Sequence, residues 1–273
     1  MMNTVVLIIT LVVAVTSIYI VTKYVAGQSG NLTRSKLKSF PAGFREILSS
    51  RVRYYNNLSE EDKKEFETRI QKFLSDKIIT GVDTEPSDAD VLLIACSAII
   101  PMFGFPYYNY PGVSEILLYP NSFDEEFQTS DEVSGKNILG MVGDGFLTGH
   151  VLLSKPDLEA AFDGTRHKNN VGIHEFIHLV DKADGAADGV PEILFDHSFA
   201  FSWLREIKKE INKIKHEHSD INAYALKNNA EFLAVVSEYF FDNPDKMKAR
   251  HPELYHYLVK IFRQNPDGGN KAA

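Results

Sequence analysis

One stretch constrains this chain more than any other: Val171-Gly-Ile-His174-Glu175-Phe-Ile-His178-Leu-Val-Asp181. Val171, Ile173, Phe176, Ile177, Leu179 and Val180 dictate a helix buried on most of its circumference. Two imidazoles and a carboxylate on such a helix are costly to desolvate unless something pairs them. The spacing indicates what does. Residues four apart on a helix stand one above the other, so His174 and His178 can share one tetrahedral zinc ion. Glu175 follows the first histidine and can serve as general base toward a water on that metal. The plain alternative is an amphipathic helix with two solvated histidines; the apolar residues on both flanks of the motif disfavour it.

A zinc site of this kind needs a third protein ligand, and the chain has room to supply one. Its 273 residues, 44% hydrophobic and 24% charged, suffice for one domain with a sizeable core plus an appendage. A net charge of −8 gives no reason to expect a nucleic-acid partner. The single cysteine, Cys96, excludes a disulfide framework and a cysteine-type zinc site.

The appendage is N-terminal. Residues 1–22 carry no charged side chain, and residues 5–21 are almost wholly apolar. With its flanks this run has about the 20 residues needed to cross a bilayer. Tyr19 and Tyr24 stand where interfacial aromatics belong, and no Lys or Arg precedes the run as it would in a signal peptide. Residues 1–24 therefore read as one transmembrane anchor, followed by a tether over residues 25–39, a folded domain over 40–266 and a polar tail over 267–273. Lys23, Arg34, Lys36 and Lys38 follow the apolar run, which places the domain on the cytoplasmic side of a single-pass membrane protein.

Within the domain, Ser59-Glu-Glu-Asp62 predicts a capped helix start, with Phe66, Ile70, Phe73 and Leu74 recurring on one face. A second helix from Pro86-Ser-Asp-Ala-Asp90 to Met102 is apolar almost all round and should lie at the centre of the core. Residues 103–111 form an aromatic, proline-broken loop, a packing element or a substrate wall. Residues 114–119 and 149–154 read as strands, and residues 121–145 as mostly loop. The fold class is then α+β, mainly helical with a small β-sheet. An exposed edge of such a sheet can hold an extended peptide through main-chain hydrogen bonds, though the sequence leaves open which strand is the edge. Residues 182–191, with two Asp-Gly pairs and a proline, predict an ordered turn-rich loop leaving the histidine helix. Further helices are expected over residues 196–216, 245–249 and 252–262.

Four carboxylates compete for the third ligand position. Asp181 lies one turn past His178 and suits a hydrogen bond from a ligand imidazole better than ligation. Asp184 would need a glycine where Asp181 stands, so that the helix could turn sharply. Glu231 and Glu238 lie seven apart on one face of a later apolar helix. Spacing favours Glu231 as ligand and Glu238 as a buried supporting residue, without deciding between them.

The segments HEFIHLVDKADG, DGVP, INAYALKNNAEFLAVVSEYFF and HPELYHYLVKIFRQNP, with IITG and ILLYPNSF upstream, resemble the Mlc titration factor A family of zinc peptidases. The resemblance spans residues 66–266. It implies a gluzincin-like, zincin-type domain with one zinc per chain on His174, His178 and Glu231, Glu175 as catalytic base, and a peptide or protein as substrate. Asn229 stands where the family often has proline, and the N-terminal apolar segment departs from the soluble members. Tyr224, seven residues before Glu231, is a candidate hydrogen-bond donor to the oxyanion of a tetrahedral intermediate, with a packed aromatic as the alternative. The expectation is a membrane-tethered zinc metallopeptidase. The alternative is a regulatory binding protein that sequesters a partner such as a transcriptional repressor, its zinc site residual or structural.

Overall fold

The computed structural model describes residues 40–122, 139–143, 148–163 and 169–267, and the backbone of 270–271. The anchor and tether expected over residues 1–39 lie outside them. Among the described residues no helix is long and apolar enough to cross a membrane.

In chain order the elements are α1 (Ala42–Arg51), α2 (Arg53–Asn56), α3 (Glu60–Asp76), β1 (Ile78–Gly81), α4 (Asp88–Met102), β2 (Glu115–Tyr119), β3 (Gly140–Val142), β4 (His150–Ser154) and α5 (Lys155–Ala161). There follow α6 (Val171–Asp181), α7 (His197–Lys215), α8 (Asn229–Asp242), α9 (Pro244–Arg250), α10 (Pro252–Phe262), β5 (Gln264–Asn265) and β6 (Asn270–Lys271). The chain is mainly helical with a small sheet, an α+β fold.

The expected helix starts form for the expected reasons. Ser59 Oγ accepts the Asp62 N–H at 3.1 Å, and Glu60, Glu61 and Asp62 fill the first turn of α3. Ser87 and Asp90 form a reciprocal capping box on α4. From Asp90 to Met102 every residue of α4 is buried, as its all-round apolar sequence demands. The helix α6 lies against α4, α8 and β3. Its approach to α4 depends on Gly172, where a Cβ would fall 2.1 Å from Ser97 Oγ.

The sheet has the order β1-β2-β4-β3, with β1, β2 and β4 parallel and β3 antiparallel to β4. Ile79, Ile116 and Val151 stand side by side across the three parallel strands. Two strands were not expected, IITG of β1 and GMV of β3, the second inside the stretch expected to be mostly loop. At four and three residues they are too short for alternation to show. These short strands are the two edges of the sheet, which limits exposed pairing surface. The polar tail also contributes a strand, β6, paired with β5.

Behind α8 the helices are fastened by an ionic network around His251, which is 4% exposed. Its Nδ1 lies 3.1 Å from Glu210 Oε2 and its Nε2 2.9 Å from Asp220 Oδ1. Asp220 Oδ2 also accepts from Tyr239 at 3.0 Å and pairs with Lys246 at 2.8 Å. Burial opposes the charge on His251, but the two carboxylates outweigh it and raise the imidazole above its ordinary pKa. Burial likewise works against ionised Glu210 and Asp220, and their cationic partners still hold both below the carboxylate range. The stabilisation from His251 is therefore complete below its unfolded pKa of about 6.5 and is lost as pH rises through the raised folded value. The carboxylate contribution is present above about pH 4 and is lost on acidification. His251→Asn should lower the unfolding free energy at pH 6 by about 3 kcal/mol, because it removes the cation between buried Glu210 and half-buried Asp220. Urea titration checks this, and the gap to wild type should narrow at pH 9; an equal gap at both pH values would assign the loss to packing.

Candidate metal centre

Two helices build the site. Asn170 caps α6, its Oδ1 accepting the Ile173 N–H at 3.1 Å. Asn228 caps α8 in the same way, accepting the Glu231 N–H at 2.8 Å. Glu231 stands beside His174 and His178, whereas Glu238, two turns on, stands beside His174 and the backbone of Asn170. Asp242, one turn further, accepts from Asn170 Nδ2 at 3.2 Å. The contacts move toward the start of α6 as α8 advances, so the helices run antiparallel.

His174 Nε2 lies 3.1 Å from His178 Nε2 and 3.0 Å from Glu231 Oε2, and His178 Nε2 lies 3.3 Å from the same carboxylate oxygen. Bonds of about 2.0–2.1 Å at tetrahedral angles separate ligand atoms by about 3.3–3.4 Å, so the three donors fit one such ion. Two imidazoles and a carboxylate leave a fourth position open, as catalytic zinc sites do. Burial disfavours charge on Glu231, but hydrogen bonds from His174, His178 and Lys227 dominate and hold its carboxyl well below the usual range. Burial opposes charge on His174 too, and Glu231 and Glu238 overcome it.

Glu238 is 5% exposed; its Oε1 lies 2.6 Å from His174 Nδ1, and its Oε2 accepts the Asn170 N–H at 2.5 Å. A carboxylate on Nδ1 fixes the ring and leaves Nε2 for a metal. Asp181 was expected to perform that service and is placed differently. It is fully buried, its Oδ2 accepts the Gly189 N–H at 2.9 Å, and its Oδ1 has no partner among the described residues. The chain turns at once through Lys182–Asp184 and brings the Gly189 amide back over the end of α6, nearer to this short side chain than an imidazole is. Asp184 accepts from the amides of Ala186 and Glu192 and serves the loop.

Glu175 points to the side of α6 covered by β3 and is 5% exposed. A Cβ on Gly140 would lie 2.9 Å from Glu175 Oε1 and 2.5 Å from a Val171 methyl, so a larger residue there would have to displace the Val171 and Glu175 side chains. Burial raises the Glu175 carboxyl above its ordinary pKa, with the two imidazoles pulling the other way. Tyr224 is 48% exposed, and its ring centroid is 6.0 Å from that of His174. Its hydroxyl donates to Glu231 Oε1 at 3.3 Å. Lys227 escaped the sequence reading: its Nζ sits 2.6 Å from Glu231 Oε1 and 3.1 Å from the Tyr224 oxygen. The signal was present, since Lys227 precedes Glu231 by four residues at a helix start. Both groups engage Oε1 and leave Oε2 facing the histidines. Beyond Leu179 a cavity of ≈ 310 Å³ is lined by Tyr108, Tyr110, Val142 and His150, so part of the aromatic loop does form a wall beside α6.

The chain matches the Glucose-regulated metallo-peptidase M90 family over residues 29–263. It belongs to that family. The M90 match takes in every residue of the site and begins after the apolar N-terminal run. Among its relatives, the Mlc titration factor A of Pectobacterium atrosepticum is 28% identical over 218 residues, 77% of this chain and 82% of the relative. An uncharacterized protein of Synechocystis is 27% identical over 238 residues, 84% of this chain and 86% of its own length. The Mlc titration factor A of Yersinia pestis is 31% identical over 166 residues, 57% of this chain and 60% of the relative. The resemblance carried by HEFIHLVDKADG and the Glu231 segment thus holds over most of the chain.

Proposed function

We propose that this M90 family member is a zinc-dependent peptidase. The observation that carries the reading is the convergence of His174, His178 and Glu231, with donor atoms 3.0–3.3 Å apart, beside buried Glu175. Zinc bound there would act as a Lewis acid on the scissile carbonyl and acidify a water molecule. The chain's own groups perform the proton work. Glu175 takes the proton of the attacking water and returns it to the leaving amine, a cycle suited to a carboxyl whose pKa burial has raised. Glu238 keeps the His174 ring oriented through both steps. Among the described residues β3 is the sheet edge next to α6, and its free side can hold an extended peptide by main-chain hydrogen bonds. Metal analysis together with a peptide-library digest of the purified protein tests the proposal; about one zinc per chain and peptide cleavage are expected, and turnover by zinc-free protein would sink it.

Tyr224 supplies a hydroxyl at the rim, already in hydrogen-bonding contact with the proposed third ligand. As a donor to the oxyanion, it should cost about 10²–10³-fold in kcat on Tyr224→Phe, with zinc content unaltered. Steady-state kinetics decide this; an unchanged kcat removes the role.

The name of the Mlc titration factor relatives supports a second reading, in which this chain sequesters a transcriptional regulator. The two readings separate on whether Glu175→Gln abolishes the cellular effect. Residues 1–24 are proposed as the single-pass anchor of a cytoplasmic domain; protease protection of the full-length protein tests that topology, and digestion of the domain from outside the cell would reverse it.

A further inference from the structure

One backbone position between α6 and α7 touches three helices near the proposed third ligand: α6, α7 and α8. The Gly189 N–H donates to Asp181 Oδ2, at the last residue of α6, at 2.9 Å. Its carbonyl accepts from Trp203 Nε1 of α7 at 2.7 Å, and the fully buried Trp203 ring lies 6.1 Å from Phe232 of α8. Its Cα faces Asn229, the first residue of α8: a Cβ would fall 2.3 Å from the Asn229 carbonyl oxygen and 2.6 Å from its carbon. The φ of Gly189 is +78°, so glycine is required twice over, by conformation and by space. Two residues beyond Asn229 stands Glu231.

We propose that Gly189 and Asp181 are positioning residues for the metal centre, the Gly189 backbone being the spacer that sets how closely the Glu231 end of α8 approaches the His178 end of α6. The inference rests on the metal reading above. At the other end the two helices are already fastened, by Glu238 and Asp242 on Asn170. At the ligand end the spacer closes the rectangle. It fixes Asn229 sterically, Asp181 by a hydrogen bond, and both against Trp203. Metal–ligand distances tolerate about 0.2 Å, whereas a methyl group at residue 189 demands a shift of about 1 Å at Asn229. That shift is passed two residues along α8 to Glu231. The buried Asp181 carboxylate, which lies on no imidazole in the structure, thereby acquires a role at the site through the loop.

The test is zinc affinity of the full-length metal-free protein, measured by competition with a chromophoric chelator at 20 °C, beside its circular dichroism and thermal melt. Gly189→Ala and Asp181→Ala should each weaken zinc binding by about 10–100-fold while the metal-free protein stays folded. Asp181→Asn keeps an acceptor for the Gly189 N–H and should stay within about threefold of wild type. Met247→Ala, a cavity at the buried methionine of α9, should lower the melting temperature and leave zinc affinity alone. If Gly189→Ala does not fold, the Asp181 pair decides. Unaltered affinity in Gly189→Ala and Asp181→Ala, an Asn variant as weak as the Ala variant, or an equal loss in Met247→Ala overturns the spacer alone. Wild-type protein that takes up no zinc overturns the metal reading, and the spacer with it.

Discussion

Glu175→Gln should leave about one zinc per chain in place and lower kcat by about 10³-fold. The side chain is separate from the donor cluster of His174, His178 and Glu231, so an isosteric amide removes no ligand. It does remove the only function the sequence and the structure give this carboxylate, which is to accept a proton and return it. Its surroundings favour a clean outcome. Glu175 is 5% exposed between α6 and β3, and an amide of the same shape fits the space that Gly140 leaves open. A buried amide also carries no charge to desolvate, so the variant should be at least as stable as the wild type. Zinc analysis and kcat on the best library peptide are the measurements. Retained turnover would end the base assignment. The same variant separates the two functions: a protein that only sequesters a regulator should keep its cellular effect after losing turnover.

What the sequence revealed and what it hid follow from the range of each interaction. The His174–His178 pair was legible because its geometry is intrahelical, and four residues on one helix leave no freedom. Ser59 and Ser87 were legible as helix starts for the same reason, and the all-round apolar run from Val91 to Met102 could only be central. The sheet was half legible. β2 and β4 carry five residues each and show as strands, whereas β1 and β3 are too short to carry a pattern. The partners of Asp181 and Glu238 were not legible in advance. They depend on the direction in which α8 crosses α6 and on where the loop after Asp184 returns, and both are tertiary facts. The spacer at Gly189 belongs to that group: DGVP announced a turn, but nothing in those four letters points to Asn229, forty residues on. Lys227 is the exception, a local i,i+4 pair with Glu231 that helix geometry alone could have supplied.

The antiparallel crossing of α6 and α8 also turns two glutamates of like spacing into residues with different expected losses. Glu231→Gln should weaken zinc binding by about 10²–10³-fold, since a binding free energy of about 10–16 kcal/mol shared among four ligands makes each worth about 2.5–4 kcal/mol. Glu238→Gln should weaken it by only about tenfold, because the amide oxygen can still accept the His174 Nδ1–H at a supporting position. The loss at Glu231 has a further cause in its neighbours. Lys227 and Tyr224 both bind Oε1, so the carboxylate presents Oε2 to the histidines as a single, preset donor. A glutamine would have to offer either its oxygen to the metal and its amide nitrogen to Lys227, where two donors meet, or the reverse, where no ligand oxygen faces the histidines. Either arrangement sets the lysine or the metal against an N–H group. Glu238 lies on the His174 ring and accepts a backbone amide on its other oxygen, a setting that an amide side chain satisfies in part. Chelator competition on the two variants side by side measures the ratio. Equal losses would mean that α8 holds the metal by both carboxylates or by neither, and the assignment of Glu231 as the third ligand would fall.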